Sequence, residues 1–173
     1  AGYTRYTINL PVLLVSKVIR TVDDYAAWGK IAMACENDGE TGGSHNYGGY
    51  FELGNDIGSE SGSIAMTYAD QDAWDNAGGF AGTFDGCGYV IDGLVANAAK
   101  DHATFIGEMK TNAVLKNIGF TNVKMSGTTF LTRTTNGTIS NVYVQYKKID
   151  VTSGQTLLAR ENATVENIFV DAS

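Results

Sequence analysis

Ala113-Val-Leu-Lys-Asn117-Ile-Gly-Phe120, Gly137-Thr-Ile-Ser-Asn141-Val-Tyr-Val144 and Ala163-Thr-Val-Glu-Asn167-Ile-Phe-Val170 are copies of one phrase, with asparagine fifth in each. The asparagines stand 24 and 26 residues apart. A second phrase keeps step with the first: Thr104-Phe105-Ile106, Thr129-Phe130-Leu131 and Thr156-Leu157-Leu158, at intervals of 25 and 27. Two landmarks recurring at one period, among β-branched residues with Gly and Asn at the corners, mark an all-β solenoid.

Within each copy the bulky residues alternate about the asparagine: Leu115, Ile118 and Phe120; Ile139, Val142 and Val144; Val165, Ile168 and Val170. Successive strand side chains face opposite sides, so these sets point into a shared core and stack on their equivalents in the next pass. Asn117, Asn141 and Asn167 are expected to form a structural ladder of stacked amides at the corners. Gly119, Tyr143 and Phe169 follow an inward residue and should face outward. Tyr143 over Phe169, with Tyr146 and Lys147-Lys148 nearby, would then present an exposed aromatic column suited to sugar rings or a protein partner, unless a neighbouring loop covers it. The alignment on Phe105, Phe130 and Leu157 also places Glu108, Arg133 and Arg160 in an axial column. That column reads first as a surface charge ladder and second as a site for an acidic polysaccharide.

Upstream, residues 3–19 are strand-like, with Pro11 fitting an edge or a break. Thr21 and Asp24 have the spacing of a capping box, and Tyr25, Trp28, Ala32 and Cys35 share one helical face. The expected organisation is N-terminal strands over 1–20 acting as an edge or cap, a capping helix over 21–38, and a parallel β-helix over 39–173. Residues 58–79 read as an irregular insertion. Gly93, 24 residues before Asn117, should open the first regular rung. The last phrase ends at Val170, so the end of the solenoid should be continued by a longer helix or covered by residues 3–19 or by a partner.

Composition narrows the function. With 173 residues, 18% charged and a net charge of −7, the chain is a folded acidic domain without the basic footprint that nucleic acid requires. No apolar run is long enough to span a bilayer. The start lacks a signal-peptide pattern, so the chain reads as a mature or excised domain. Cys35 and Cys87 form no metal motif, and buried thiols are the plain reading of both, a mutual disulfide the alternative. His45 and His102 are isolated, so no metal centre is expected. Asp70, Asp72 and Asp75 read as a solvated acidic loop, with a Ca²⁺ site as the alternative. Asn136-Gly-Thr138 and Asn162-Ala-Thr164 match a glycosylation acceptor pattern but fall where corners belong.

Gly79-Phe-Ala-Gly-Thr-Phe-Asp-Gly-Cys-Gly-Tyr-Val-Ile-Asp-Gly-Leu94 resembles the opening motif of bacterial surface proteins with GLUG-type repeats. Phe105-Ile-Gly107 and Leu115-Lys-Asn-Ile118 are similar to their repeat, as Asp24 to Trp28 and Tyr50 to Ile57 are to their capping helix and first strand. The later passes depart, with Thr132 and Ala159 in place of Gly107. The resemblance implies a right-handed parallel β-helix of about four to five rungs, secreted or attached to the cell surface, often adhesin-like and without shared catalytic residues. The expected function is therefore a non-catalytic display or spacer module, working beside other domains or a host partner. The alternatives are a carbohydrate-binding module on Tyr143 and Phe169, or a polysaccharide lyase or hydrolase using Glu108, Arg133, Arg160 or the Asp70–Asp75 cluster.

Overall fold

The computed structural model describes residues 13–34, 46–65, 79–97, 105–126, 130–150, 158–159 and 163–173. Its elements are β1 (Lys17–Ile19), α1 (Val22–Ala34), β2 (Asn46–Tyr47), β3 (Tyr50–Leu53), β4 (Ile57–Gly58), β5 (Ile64–Ala65), β6 (Gly79–Phe80) and β7 (Thr83–Asp85), then β8 (Val90–Asp92), β9 (Leu94–Asn97), β10 (Ile106–Met109), β11 (Val114–Ser126), β12 (Thr132–Thr135), β13 (Thr138–Asp150) and β14 (Thr164–Asp171). The pairings between them are parallel, as a stack of successive passes requires. One sheet runs β1-β3-β7-β11-β13-β14, with β4 and β8, and β5 and β9, joining β11 from the side; a second runs β2-β6-β10-β12. This architecture is mostly β, with a mostly parallel main sheet and one short helix among the described residues, and is consistent with a β-helix-like solenoid.

Register turns the sequence repeat into columns. Lys17, Phe51, Phe84, Leu115, Ile139 and Val165 are successive partners in one column. Ile57, Ile91, Phe120, Val144 and Val170 form another. Parallel neighbours lie about 4.8 Å apart, so each apolar side chain rests on its counterpart above and below. The first column shows what that contact does: Leu115 is 1% exposed and Ile139 0%, whereas Val165, with no described strand beyond it, is 47% exposed. β11 and β13 run 13 residues each because they bend at asparagines instead of ending there. Asn117, Asn122, Asn141 and Asn167 all have φ of 52–53°. Asparagine tolerates this left-handed region far better than the β-branched residues around it.

The helix begins as its sequence predicts. The Asp24 N–H donates to Thr21 Oγ1 at 3.0 Å, and the Arg20 N–H donates to Asp24 Oδ2 at 3.0 Å. Two otherwise orphaned donors are thereby satisfied at the start of the helix. The helix then sends Tyr25 and Trp28 into the core. Trp28 meets Phe84 edge-on with ring centroids 4.9 Å apart, and Tyr25 stacks on Phe105 at 5.8 Å. From there a run of edge-to-face contacts continues inward: Phe84–Phe105, Phe105–Phe120, Phe120–Phe130 and Phe130–Tyr146, with centroids 5.0–5.7 Å apart. Ala32 and the other side chains at the end of the helix are not described, and Cys35 lies outside the described residues.

Three expectations are corrected. β1 pairs with β3 at the opposite edge of the sheet from β14, so residues 17–19 do not cover the C-terminal end; residues 3–12 lie outside the described set. Ile64-Ala65, inside the segment read as an irregular insertion, is a strand paired with Leu94-Val95, and Ile64 is buried. Gly93 aligns not with Asn117 but with the next corner, because Asp92 pairs with Thr121 and the Gly93 N–H donates to the Thr121 carbonyl. Gly93 (φ 84°) thus holds in one pass the left-handed position that Asn122 holds in the next.

Candidate functional site

The corner asparagines form the expected ladder, and it has a direction. Asn167 Nδ2 donates to Asn141 Oδ1 at 3.1 Å, and Asn141 Nδ2 donates to Asn117 Oδ1 at 2.9 Å. Asn117 Nδ2 then donates to Asp85 Oδ1 at 3.1 Å. Every amide gives its N–H toward the N-terminal end of the stack, and Asn117 and Asn141 accept from the pass that follows. Ionised aspartate only accepts, so Asp85 is a natural head for such a column.

Asp85 is the most heavily used polar group of the site. Its carboxylate also accepts the Tyr50 hydroxyl at 2.7 Å and the Cys87 N–H at 2.9 Å, and it pairs with Lys116 Nζ at 3.2 Å. Burial pushes this carboxyl up, but the bonds from Tyr50, Cys87, Asn117 and Lys116 outweigh it and hold Asp85 below the usual carboxylate range. The same contact, together with burial, raises the Tyr50 hydroxyl well above its ordinary value. Gly86 follows because no side chain fits there: a Cβ would lie 2.4 Å from the Asn117 carbonyl oxygen. Gly82 is similarly constrained, with the Gly49 carbonyl oxygen 2.3 Å from where its Cβ would sit. Phe80 and Phe84 are core residues around Trp28. The Phe80–Gly86 motif is thereby accounted for by packing, close approach and the head of the ladder.

A second corner repeats the device. Asp92 Oδ1 accepts Thr121 Oγ1 at 2.8 Å and Asn122 Nδ2 at 2.7 Å. Asp92-Gly93 reads from the sequence as a corner, but sequence reading gives neither Asp85 nor Asp92 a role as acceptor. The available signal was an Asp-Gly pair ahead of each asparagine corner, since a one-way amide column needs an acceptor at its start.

Alongside the ladder runs an open groove of about 570 Å³, lined by Val90, Gly119, Tyr143 and Phe169 on one side and by Asn117, Asn141 and Asn167 on the other. Val90, Gly119, Tyr143 and Phe169 are register partners, one per pass, as expected for the outward column. Tyr143 and Phe169 stack with centroids 5.6 Å apart and planes inclined by 16°. Tyr143 is half-buried, while Phe169 is 61% exposed. Gly119 leaves a gap in the column, into which Val90 leans: a Cβ on Gly119 would be 2.9 Å from Val90 Cγ2. The groove therefore offers an aromatic wall, an apolar floor and amide groups, with no carboxylate among its lining residues.

The other site expectations fare differently. Tyr146 does not belong to the exposed column: it is 4% exposed and packs edge-on against Phe130. It lies three positions after Tyr143, an odd step, so period-two alternation sends it to the opposite, inward face. Of the Glu108–Arg133–Arg160 column the first step is not the register found, whereas the Thr132–Ala159 bridge keeps the alignment expected between the two later passes. Ile106 pairs with Thr132 and Glu108 with Thr134, one residue beyond Arg133. The similar triplets misled because Phe105, Ile106, Phe130 and Leu131 are all buried, so alternation does not fix which aligns with which. Arg160, Asp70, Asp72, Asp75, His45, His102 and Asn162 lie outside the described residues; Asn136 is exposed.

Among the described residues, no three His, Cys, Asp or Glu side chains are grouped to hold a metal ion. Cys87 is not a buried thiol but an exposed, free one, with φ of 52° at a corner that turns its side chain out of the core. Lys147 and Lys148 are exposed, and Lys147 pairs with Glu60 at 3.1 Å. No helix among the described residues is long and apolar enough to cross a membrane. Comparison with known proteins finds no matching family model, no matching curated protein and no matching solved structure.

Proposed function

We propose that this chain is a non-catalytic module of a secreted or cell-surface bacterial protein, a display or spacer unit with adhesin-like character. Its fold, in this reading, is a right-handed parallel β-helix of four to five rungs with an N-terminal capping helix, of the GLUG-repeat kind that the Phe80–Leu94 motif resembles. The observation that carries the reading is how the repeat uses its polar residues. Asn117, Asn141 and Asn167 bond to one another and to Asp85 along the stack, so the most regular polar feature of the chain is committed to holding a rigid rod together. Antibody labelling of intact producing cells, with and without protease shaving, tests the location. Surface signal lost on shaving is the expected result; signal only after lysis contradicts it.

The groove favours a second reading, a carbohydrate contact along Tyr143 and Phe169. Stacked rings beside amide donors and acceptors suit a sugar, which has an apolar face and polar edges. Glycosidic hydrolysis, by contrast, uses a facing pair of carboxylates, and the lining supplies amides and rings. A glycan array probed with wild type and Tyr143→Ala tests this reading. Binding that disappears in the variant supports it; identical arrays, or none bound by either, remove it.

A further inference from the structure

The outward column beside the ladder has a gap in its middle. Val90, Gly119, Tyr143 and Phe169 are successive register partners on β8, β11, β13 and β14. Phe169 stacks on one face of the Tyr143 ring. On the opposite side the next member of the column is Gly119, which has no side chain to lay against the other face. The space is crowded from the Val90 side alone: a Cβ on Gly119 would meet Val90 Cγ2 at 2.9 Å and Val90 Cβ at 3.7 Å, and no Tyr143 atom comes as near. Neighbouring strands stand about 4.8 Å apart, so a ring in place of the missing side chain would lie within stacking distance of Tyr143. Asn117 and Asn141 line the same groove. A carboxamide has two N–H donors and two acceptor lone pairs, and the ladder uses one of each on both residues. Each amide therefore keeps one donor and one acceptor outside the ladder.

We propose that the gap at Gly119 is a subsite for one neutral pyranose ring, seated against the free face of Tyr143 with its hydroxyls on the Asn117 and Asn141 amides. A phenyl ring could stack there but would leave the amide groups unmatched. A uronic acid would bring a carboxylate to a lining that holds no charged residue, and Lys116, next to Asn117, is already engaged by Asp85 at 3.2 Å. A neutral sugar has both an apolar C–H face for the ring and hydroxyls at its edge for the amides. Val90 makes room by changing rotamer, and Phe169 backs the Tyr143 ring without touching the sugar. This rests on the carbohydrate reading of the groove, and adds where the ring sits and which charge it lacks.

The test is an array of neutral and uronic oligosaccharides probed with the whole chain, followed by calorimetric titration of the best-bound neutral one. Gly119→Tyr fills the gap from the chain itself, so it should weaken binding by about tenfold or more while leaving the urea midpoint no lower than that of wild type. Val90→Ala widens the gap and should strengthen binding. Phe169→Ala should bind nearly as tightly as wild type, and these last two variants decide the matter if Gly119→Tyr does not fold. Binding by Gly119→Tyr as tight as wild type or tighter, weaker binding by Val90→Ala, or a loss in Phe169→Ala as complete as in Tyr143→Ala overturns the subsite. Each of these leaves the carbohydrate reading standing, with the sugar lying along the ring pair instead. Binding of uronic glycans alone also overturns the subsite, and binding of no glycan removes both readings together.

Discussion

The two ends of the same column are built differently. At the N-terminal end it starts with Lys17, a charged residue on an edge strand, held 3.8 Å from Asp24 of the adjoining helix. Behind it Tyr25 and Trp28 fill the interior, and Asp85 closes the amide ladder with an acceptor. At the other end, among the described residues, the last member of the column is Val165, the last amide oxygen of the ladder accepts no bond, and the aromatic pair finishes on an exposed Phe169. Charge on an edge strand and a covering helix are recognised ways of protecting a sheet edge from further pairing. One end of this stack is closed by its own residues; the other retains the features of an internal pass. The stabilising interactions should therefore be concentrated toward the helix.

The largest contrast should come from aromatic deletions at the two ends. Trp28, 2% exposed and touching Tyr25, Phe51, Phe80, Phe84 and Phe105, anchors the closed end. Trp28→Ala should cost about 3–5 kcal/mol in urea unfolding. Trp28→Phe should cost far less, because it keeps an aromatic ring while removing a buried Nε1–H that has no acceptor among the described residues. Equal losses in both variants would contradict this account of the cluster.

Next in size is the head of the ladder. Asp85→Ala leaves the Tyr50 hydroxyl, the Cys87 N–H and the Asn117 amide without their acceptor, a loss of about 2–4 kcal/mol. Asp85 also makes this end sensitive to acid. Its folded pKa is depressed, so its ionised form stabilises the fold above the ordinary aspartate value of about 3.9. That contribution is lost as pH falls through the lower, folded value. Thermal midpoints of the wild type should fall over this acid window more steeply than those of Asp85→Asn.

Smaller effects should grade along the ladder. Asn141→Ala removes two amide bonds and puts alanine at φ of 53°, for about 2–3 kcal/mol. Asn167→Ala removes one bond at the open end and should cost about half as much. The smallest change belongs to the surface: Phe169→Ala should shift stability by about 0.5 kcal/mol or less, since the ring is mostly in solvent already. Chemical denaturation of the three variants gives the order directly, and Asn167→Ala exceeding Asn141→Ala would break it.

Much of this architecture was legible because it repeats. Copies that share Asn and its apolar neighbours specify a ladder, an inward face and the outward pair Tyr143–Phe169, and the Thr21–Asp24 spacing specifies the start of the helix. What did not repeat was harder to read. Asp85 occurs once, and its partners Tyr50 and Asn117 lie about thirty residues away on either side, joined only by stacking. Ile64-Ala65 is too short for its alternation to stand out within a polar segment, and only its pairing with β9 makes it a strand. The Glu108 register failed for a different reason. Where two consecutive residues are buried at a bend, hydrophobic pattern leaves an uncertainty of one residue, which main-chain hydrogen bonds resolve. Tyr146 was within reach, since counting two residues from Val144 places it inside.

Native-state hydrogen exchange, resolved by strand, tests the central claim that the stabilising contacts of the described stack are concentrated at its helix end and thin out toward β14. The account predicts strongest protection in β7 and the first half of β11, next to Asp85 and the aromatic cluster, declining through β13 to weakest in β14. Uniform protection across β7, β11, β13 and β14, or strongest protection in β14, would contradict it.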